Sequence, residues 1–452
     1  MTIDVLPDDV LLEIFGSYKD DHANRKDFGW SWIILVHVCQ RWRRLIFESP
    51  QHLDLQLVCT PATPTRRLLD FLPCFPIIVC SSFSSYSRIA DVENLVTALE
   101  RRDRISRIYI SNTQPYEFPT LIAVMNKPYP ILRTFSLMTT SYDFVLPKTF
   151  LGGSAPSLRS FSLADIQFPT FPQFILSSNH MVSLSLCRVG YISPEVMAGC
   201  LAALPKLKCF IIRLQSPLSH TTEKNGPLTC AILPALTHFY FYGTNEYFEA
   251  LVAQIDTPIL KRLSLAFSIS PLDIPRLHGF VNRIERLGPF GRAEMDVSGG
   301  RIEMAFGSPI RFKLAFDCEV QDRKVTLMTQ VFSQQLHLLS HVEELEICVP
   351  SWEDNDPVID SSLLLALFRL FIAVQSLYIS EKMVATVAVA LKGLTVERAM
   401  EVFPALCNLY LEGLQSSGSV QELINPFVAS RQLSDRPVVI QSWERQLPYN
   451  DS

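Results

Sequence analysis

Apolar residues recur along most of the chain in one short pattern. An apolar position is followed by two other residues, a second apolar position, one other residue and a third apolar position. Its second half alternates with the period of two that is typical of a β-strand. Each occurrence therefore predicts a strand. The pattern begins at Ile105, Leu132, Leu158, Met181, Leu207, Leu236 and Leu260, and again at Val342, Val374 and Leu406.

The spacing of these strands predicts a repeat architecture. The starts before residue 270 lie 23 to 29 residues apart, and the last three lie 32 apart. Repeats of roughly 20 to 29 residues with one strand each are typical of leucine-rich repeats, whose units bury their apolar faces only by stacking. Residues 51–452 therefore resemble a leucine-rich-repeat domain. The resemblance implies an irregular α/β solenoid, or horseshoe, that binds a target protein.

The repeat spacing fails between residues 270 and 341. The segments 293–297 and 301–306 predict two strands around Gly299 and Gly300, because glycine supplies the positive φ that tight turns need. Residues 311–316 predict a third strand, and residues 321–340 predict a helix. We interpret this irregular section as degenerate repeats decorated by hairpins.

The first fifty residues predict helices with a wider apolar surface than a single contact needs. From Val10 to Tyr18 the apolar side chains fill an arc of roughly 200°, whereas docking on one core needs about 100°. The surplus points to a second apolar surface, which is either further chain or another protein. From Leu35 to Ile46 the apolar residues form one helical face, and Arg41, Arg43 and Arg44 lie off it.

The order of residues in these helices resembles an F-box. The elements are Leu-Pro-x-x-Val-Leu-x-x-Ile-Phe at residues 6–15 and Leu-Val-x-Val-Cys-x-x-Trp-Arg-x-Leu-Ile at residues 35–46. The resemblance covers about residues 3 to 50, and we place the helical module at residues 1–50. By position in the motif, the candidates for adaptor contact, or for the small core behind it, are Leu6, Pro7, Val10, Leu11, Ile14, Phe15, Leu35, Val38, Trp42 and Leu45.

This resemblance implies the substrate-recognition subunit of an SCF-type cullin-RING ubiquitin ligase. The F-box would dock on a Skp-type adaptor, and through it on cullin, while the repeats bind a target. Such a subunit performs no bond chemistry itself. Two rivals stay open: a leucine-rich-repeat scaffold without a role in ubiquitin transfer, and an enzyme with a dispersed site.

Composition narrows the partners and the compartment. The net charge of −5 gives no general attraction to nucleic acid. Eleven scattered cysteines, an odd number, favour a reduced cytoplasmic or nuclear location over a disulfide framework. The most apolar run, residues 363–379, is shorter than the roughly 20 residues that cross a membrane, and we interpret it as a buried helix followed by a strand.

No motif predicts catalysis, a cofactor or a metal. The sequence has no Cys-x-x-Cys, His-Glu-x-x-His or phosphate-binding glycine loop. The candidates for target binding lie instead between buried strand positions. Alternation sends Phe239 and Phe241 inward and leaves polar and aromatic side chains on the opposite face, where tyrosine and arginine favour binding. An ordinary solvated face is the plainer interpretation of this strip, which comprises Arg213, His238, Tyr240 and Tyr242.

Overall fold

The computed structural model describes residues 6–23, 31–50, 52–53, 55–72, 75–82, 89–114, 116–214, 230–268, 274–284, 287–298, 301–317, 321–334, 336–349, 359–392, 394, 397–413 and 418–444. The chain divides into two compact units. The first unit comprises residues 1–192 and 199–207, and the second comprises residues 193–198 and 208–452. The predicted boundary after residue 50 falls inside the first unit. That this boundary separates an adaptor-binding part from a target-binding part stays a prediction.

Three helices open the chain: α1 (Asp8–Ala23), α2 (Ser31–Val36) and α3 (Gln40–Glu48). Pro7 directly precedes α1, where the missing N–H of proline costs nothing. The helical pattern from residue 35 to 46 is interrupted, because hydrogen bonds from His37 N to Ile34 O and from Val38 N to Leu35 O end α2 in a turn. The Sγ of Cys39 then accepts a hydrogen bond from Trp42 N and caps α3.

These helices share one core with the segment that follows them. The Trp32 ring lies 5.5 Å from the ring of Phe75, and the Phe15 ring lies 4.7 Å from that of Trp42. Trp32 Nε1 also donates a 3.2 Å hydrogen bond to Gln56 O. The core therefore continues past residue 50. Its buried members are Leu11, Phe15, Trp32, Leu35, Val36, Trp42, Leu45, Ile46, Leu53, Leu55 and Phe75.

The rest of the first unit alternates strands with helices. Its strands are β1 (Leu57–Cys59), β2 (Ile77–Ser82), β3 (Ile105–Thr113), β4 (Thr134–Thr139), β5 (Ser160–Ala164) and β6 (Ser183–Cys187). Its helices are α4 (Thr65–Phe71), α5 (Ile89–Leu99), α6 (Phe118–Met125), a 3-10 helix (Phe150–Gly153) and α7 (Phe171–Ile175), and α8 (Pro194–Ala202) has residues in both units.

The six strands of the first unit pair in parallel and in chain order. Ile108, Phe135, Phe161 and Leu184 occupy equivalent positions on neighbouring strands, and all four are fully buried. The rings of Phe135 and Phe161 stack with centroids 5.7 Å apart. Equivalent apolar positions thus form continuous rows, as the repeat spacing predicts.

The second unit continues the alternation. Its strands are β7 (Cys209–Arg213), β8 (Ala231–Ile232), β9 (His238–Gly243), β10 (Ile255–Asp256), β11 (Arg262–Ser268), β12 (Arg292–Val297), β13 (Arg301–Phe306), β14 (Phe312–Asp317), β15 (Glu344–Cys348), β16 (Ser376–Ile379), β17 (Asn408–Glu412) and β18 (Val439–Trp443). Its helices are α9 (Asn245–Val252), α10 (Pro275–Asn282), α11 (Gln321–Gln334), α12 (Leu336–Leu339), α13 (Ser361–Phe368), α14 (Glu381–Lys392) and α15 (Gly418–Leu433).

The irregular section lies within the sheet of the second unit. The strand order is β7, β9, β11, β14, β13, β12, β15, β16, β17 and β18, while β8 and β10 form a separate pair. β13 is antiparallel to β12 and β14, which are parallel to β15 and β11 respectively. Met295, Met304 and Leu314 are buried in register. The three predicted strands are present as antiparallel neighbours, and they continue the apolar rows of the sheet.

Most predicted elements are present, although their first and last residues differ from the predicted ones. The mixed α/β class is confirmed, and the sheet is mostly parallel. Residues 53–58 alternate apolar and other residues, which is typical of a strand, but the strand β1 begins only at Leu57, because Leu53 and Leu55 pack into the helical core. The predicted helix 321–340 is observed as α11 and α12. The turn expected at Gly299 and Gly300 lies outside the described residues.

Candidate functional site

The ten candidates for adaptor contact fall into two groups. One group is buried between α1, α2 and α3, so its first role is to hold these helices together. The group comprises Leu11, Phe15, Leu35, Trp42 and Leu45. Periodicity placed these residues on the apolar faces but did not separate them from the other candidates.

The other group remains open to solvent. Val10 is 39% exposed, Ile14 is 42% exposed and Val38 is 55% exposed. Pro7 is also exposed, and Leu6 is half-buried against the core. Val10 and Ile14 are four residues apart, so they lie on the same face of α1. The structure adds Ile34, which is 61% exposed and lies four residues before Val38. Its exposure could not be inferred from a short, wholly apolar run.

Arginines on α3 connect the three helices. Arg41 Nη2 lies 2.5 Å from Asp8 Oδ1 and donates a 2.6 Å hydrogen bond to Leu6 O. Arg43 Nε donates a 2.9 Å hydrogen bond to Val36 O. Arg41 and Arg43 therefore position α1 and α2, while Arg44 remains exposed. All three arginines lie off the apolar face, as expected. Arg41 and Arg43 are also held by contacts within the protein, to α1 and α2.

The four candidates for target binding lie together on one face of β7 and β9. Phe239 and Phe241 are buried, whereas His238, Tyr240 and Tyr242 alternate with them and are half-buried. Arg213 is exposed and pairs in register with Tyr242. The predicted alternation is thus confirmed, and target binding at this strip stays a prediction.

The electrostatic environment of this strip is mixed. Partial burial, together with Arg262 and Lys261, lowers the pKa of His238, so the imidazole is neutral near pH 7. Burial raises the pKa of Tyr242, and the neighbouring carboxylate of Asp317 raises it further. The strip therefore offers neutral hydrogen-bonding groups beside the exposed guanidinium of Arg213.

Ion pairs cover the same face on β13 and β14. Arg301 lies 2.8 Å from Glu303 and 3.3 Å from Asp317, and Lys313 pairs with Glu303. Each of these carboxylates thus has a cationic partner on a neighbouring position. This part of the face is polar, but its positive and negative charges compensate each other locally.

Sequence reasoning missed an aromatic cluster on β16, β17 and β18. The rings of Tyr378 and Tyr410 stack with centroids 4.4 Å apart and 7° between their planes. Trp443 meets Tyr378 edge-on at 5.4 Å. All three side chains are half-buried on the polar face of the sheet. A signal was present, because Tyr378 and Tyr410 lie between apolar positions that recur at the 32-residue spacing.

Acidic residues adjoin this cluster on β12 and β15. Glu346 is in register with Tyr378, and Arg292 Nη2 lies 2.7 Å from Glu346 Oε2. The ligand atoms of Glu294, Glu346 and Cys348 lie within 4.8 Å of one another, so this group could hold a cation. No such group was predicted, because its members are non-local in sequence. The Arg292 guanidinium already supplies positive charge beside it.

Comparisons with known proteins leave the family open. No protein-family model matches the chain, and no curated protein matches it. Among solved structures, the leucine-rich-repeat-containing protein LegL7 from Legionella pneumophila is similar, with 14% sequence identity and a TM-score of 0.29. The match covers 73% of this chain and 98% of that one. A TM-score this low does not support a fold assignment, so the description of the fold rests on the strand pairing given above. Among the described residues, no helix is both long and apolar enough to cross a membrane.

Proposed function

We propose that the chain is the substrate-recognition subunit of an SCF-type cullin-RING ubiquitin ligase. Residues 6–50 would dock on a Skp-type adaptor, and the polar face of the second-unit sheet would bind the target protein. The support for this proposal is the F-box-like order of residues 6–15 and 35–46 together with the three-helix arrangement of α1, α2 and α3. The chain would act in the cytoplasm or nucleus and catalyse no step itself.

One observation carries the proposal. The helical module leaves Val10, Ile14, Ile34 and Val38 exposed although its own core is already filled. Val10 and Ile14 lie on one face of α1, Ile34 lies on α2, which packs against α1, and Val38 lies in the turn that follows α2. Together they offer a partner apolar surface to bury. Complete burial of an exposed valine or isoleucine contributes roughly 1.5 to 3 kcal/mol. These four side chains are 39% to 61% exposed, so each can contribute about half of that on binding.

The double variant Val10→Ser and Ile14→Ser tests adaptor binding. Both side chains are exposed, and serine has about the same helix propensity as valine and isoleucine, so α1 should remain folded. We expect the variant to lose at least about tenfold in affinity for the purified adaptor, because two apolar contacts disappear. Isothermal titration calorimetry measures this affinity, and circular dichroism checks folding.

A matched control removes apolar side chains of similar exposure elsewhere. Val196 on α8 is 42% exposed and Val389 on α14 is 55% exposed. Replacing both by serine should leave adaptor affinity within about twofold. Equal binding by the wild type and the Val10/Ile14 variant, with both folded, would falsify the F-box assignment.

The alternative is a repeat scaffold that takes no part in ubiquitin transfer. The polar face of the second-unit sheet, with its half-buried tyrosines, favours protein binding whichever role the helices have. Co-purification separates the two functions. The ligase subunit should bring down both adaptor and cullin, and the amount of its target should rise when the chain is deleted. Adaptor without cullin, and no such target, would favour the scaffold.

A further inference from the structure

The polar face of the second-unit sheet changes its charge from one side to the other. On β7, β11, β13 and β14 its charged side chains are Arg213, Arg262, Arg301, Glu303, Lys313 and Asp317. On β12, β15 and β17 they are Arg292, Glu294, Asp296, Glu344, Glu346 and Glu412. Among the described residues, the second group sets five carboxylates against one guanidinium, so its net charge is negative. That guanidinium belongs to Arg292, which pairs with Glu344 and with the buried Glu346.

The negative part of this face also contains the aromatic cluster. Tyr378 and Tyr410 are neighbours of Glu346 in the same row, and Trp443 pairs in register with Glu412. Burial raises the pKa of Tyr378, and the negative charge of Glu344 raises it further. Glu344 lies two positions before Glu346 on β15, on the same face of the sheet as Tyr378. Carboxylates and half-exposed rings thus lie side by side on adjacent strands.

This combination suits a positively charged side chain. A guanidinium or ammonium group is attracted to the face of an aromatic ring and forms charge-assisted hydrogen bonds with carboxylates. Its aliphatic part can also cover the apolar surface of the rings. An acidic or neutral segment would lack these attractions and would lose the hydration of the carboxylates without compensation.

We propose that this surface, formed by Tyr378, Tyr410, Trp443, Glu344 and Glu412, binds an arginine-rich segment of the target protein. The proposal deepens the receptor half of the proposed function by naming the kind of segment that is bound. It moves the predicted contact from the β9 strip towards β15 to β18. Arginine is favoured over lysine, because its planar group can stack on a ring and pair with carboxylates together.

Binding of a defined peptide to the full chain tests this inference. The probe is a fluorescein-labelled peptide of four arginines alternating with glycines, and the comparison probe has glutamates in place of the arginines. Fluorescence anisotropy should show saturable binding of the arginine peptide and at least about tenfold weaker binding of the glutamate peptide. Equal affinity for both peptides, or no binding of either, overturns the proposal.

Variants locate the binding surface. Glu344→Gln with Glu412→Gln should weaken arginine-peptide binding about tenfold and reduce its dependence on salt, because two carboxylate charges are lost. Tyr410→Leu with Trp443→Leu should weaken it about fivefold and leave the salt dependence unchanged, because only ring contacts are lost. The two variants separate the contributions of charge and rings.

Matched controls exclude a general attraction to an acidic protein. Glu195 on α8 and Glu422 on α15 are exposed, and Glu195→Gln with Glu422→Gln removes the same charge from helices. Tyr116→Leu removes a tyrosine that is exposed in the first unit. Both controls should bind the peptide within about twofold of wild type. Equal losses in the controls and the sheet variants overturn the proposal.

Adaptor titrations on the same variants keep the two proposals apart. The sheet variants should retain adaptor affinity, and Val10→Ser with Ile14→Ser should retain peptide affinity. Loss of peptide binding in the helical variant would overturn the location proposed here. Failure of wild-type adaptor binding, with peptide binding intact, would refute the ligase role and leave the peptide surface standing.

Discussion

Adjacent residues of α1 have opposite environments. Val10 and Ile14 are exposed, whereas Leu11 and Phe15 are almost completely buried. The sequence predicts that all four lie within one apolar arc, because helical periodicity gives the direction of each side chain around the axis. It does not give the width of the surface that packs against that axis. Only the positions of α2 and α3 divide the arc into a core side and an open side.

Cysteine environments also differ in a way that periodicity does not show. Cys59 and Cys200 are buried, and burial raises the pKa of each thiol from 9.0 to about 11. Cys230 and Cys407 are exposed. The thiolate is the reactive form, so burial protects a cysteine both by excluding the reagent and by keeping the proton.

We predict that iodoacetamide modifies Cys230 and Cys407 well before Cys59 and Cys200 at about pH 8. Mass spectrometry of tryptic peptides measures the extent at each site over time. In the unfolded chain all four should react at similar rates. Rapid native labelling of Cys59 would contradict the structure.

The raised pKa also affects stability, because between the two pKa values the native thiol keeps its proton while the unfolded thiol loses it. The stability that Cys59 and Cys200 contribute should therefore fall as the pH rises from 9.0 towards about 11.

Element positions were predicted better than element neighbours. The strand pattern located most strands in the parallel parts of both units, because each repeat brings its own apolar positions. The order β11, β14, β13, β12, β15 could not be predicted, since it depends on pairing between residues far apart in sequence. The same limitation hid the approach of Glu294 to Glu346 and Cys348 on two strands that are not consecutive in the chain.

Helix α15 shows how one buried charge can hold an element in place. It contains Pro426, which weakens a helix because proline cannot donate a backbone hydrogen bond. The side chain of Arg431 is fully buried, and Nη2 donates to Leu406 O at 3.0 Å and to Pro404 O at 3.3 Å. Nη1 lies 3.1 Å from Met400 Sδ. Arg431 thus ties the helix to the turn before β17.

We predict that Arg431→Ala destabilises this part of the second unit by about 2 to 4 kcal/mol, because two buried carbonyl oxygens lose a charged donor and a cavity remains. Hydrogen exchange should rise in residues 418–433 and 408–412. Arg323→Ala, on the exposed side of α11, should leave exchange in these segments unchanged. Unchanged protection of α15 in Arg431→Ala would show that Arg431 does not anchor it.

At the scale of the whole molecule, the two candidate binding surfaces differ in kind. The helical surface offers exposed aliphatic side chains, and the sheet surface of the second unit offers charge and aromatic rings. An apolar surface suits a permanent partner, whereas a charged surface permits fast and reversible association. The proposed function requires this division of chemistry, with a lasting contact at the helices and an exchangeable one at the sheet.

The shared core of residues 6–75 affects how the proposed function should be tested. Deletion of residues 1–50 would remove the helices that cover Leu53, Leu55 and Phe75, all of which are buried in the full chain. The fragment would then expose apolar surface that the full chain does not have. Loss of adaptor binding by such a fragment would not distinguish a missing contact from a damaged first unit.

We predict that the fragment 51–452 binds the dye ANS several-fold more strongly than the full chain, because the uncovered core residues form a new apolar patch. The full-length Val10→Ser and Ile14→Ser variant should bind slightly less dye than wild type, since it only removes exposed apolar groups. Fluorescence titration at equal protein concentration measures the difference. If the fragment binds no more dye than wild type, the helices do not cover the Leu53, Leu55 and Phe75 core. Greater dye binding by the fragment alone would make the point variants, and not the deletion, the valid test of adaptor contact.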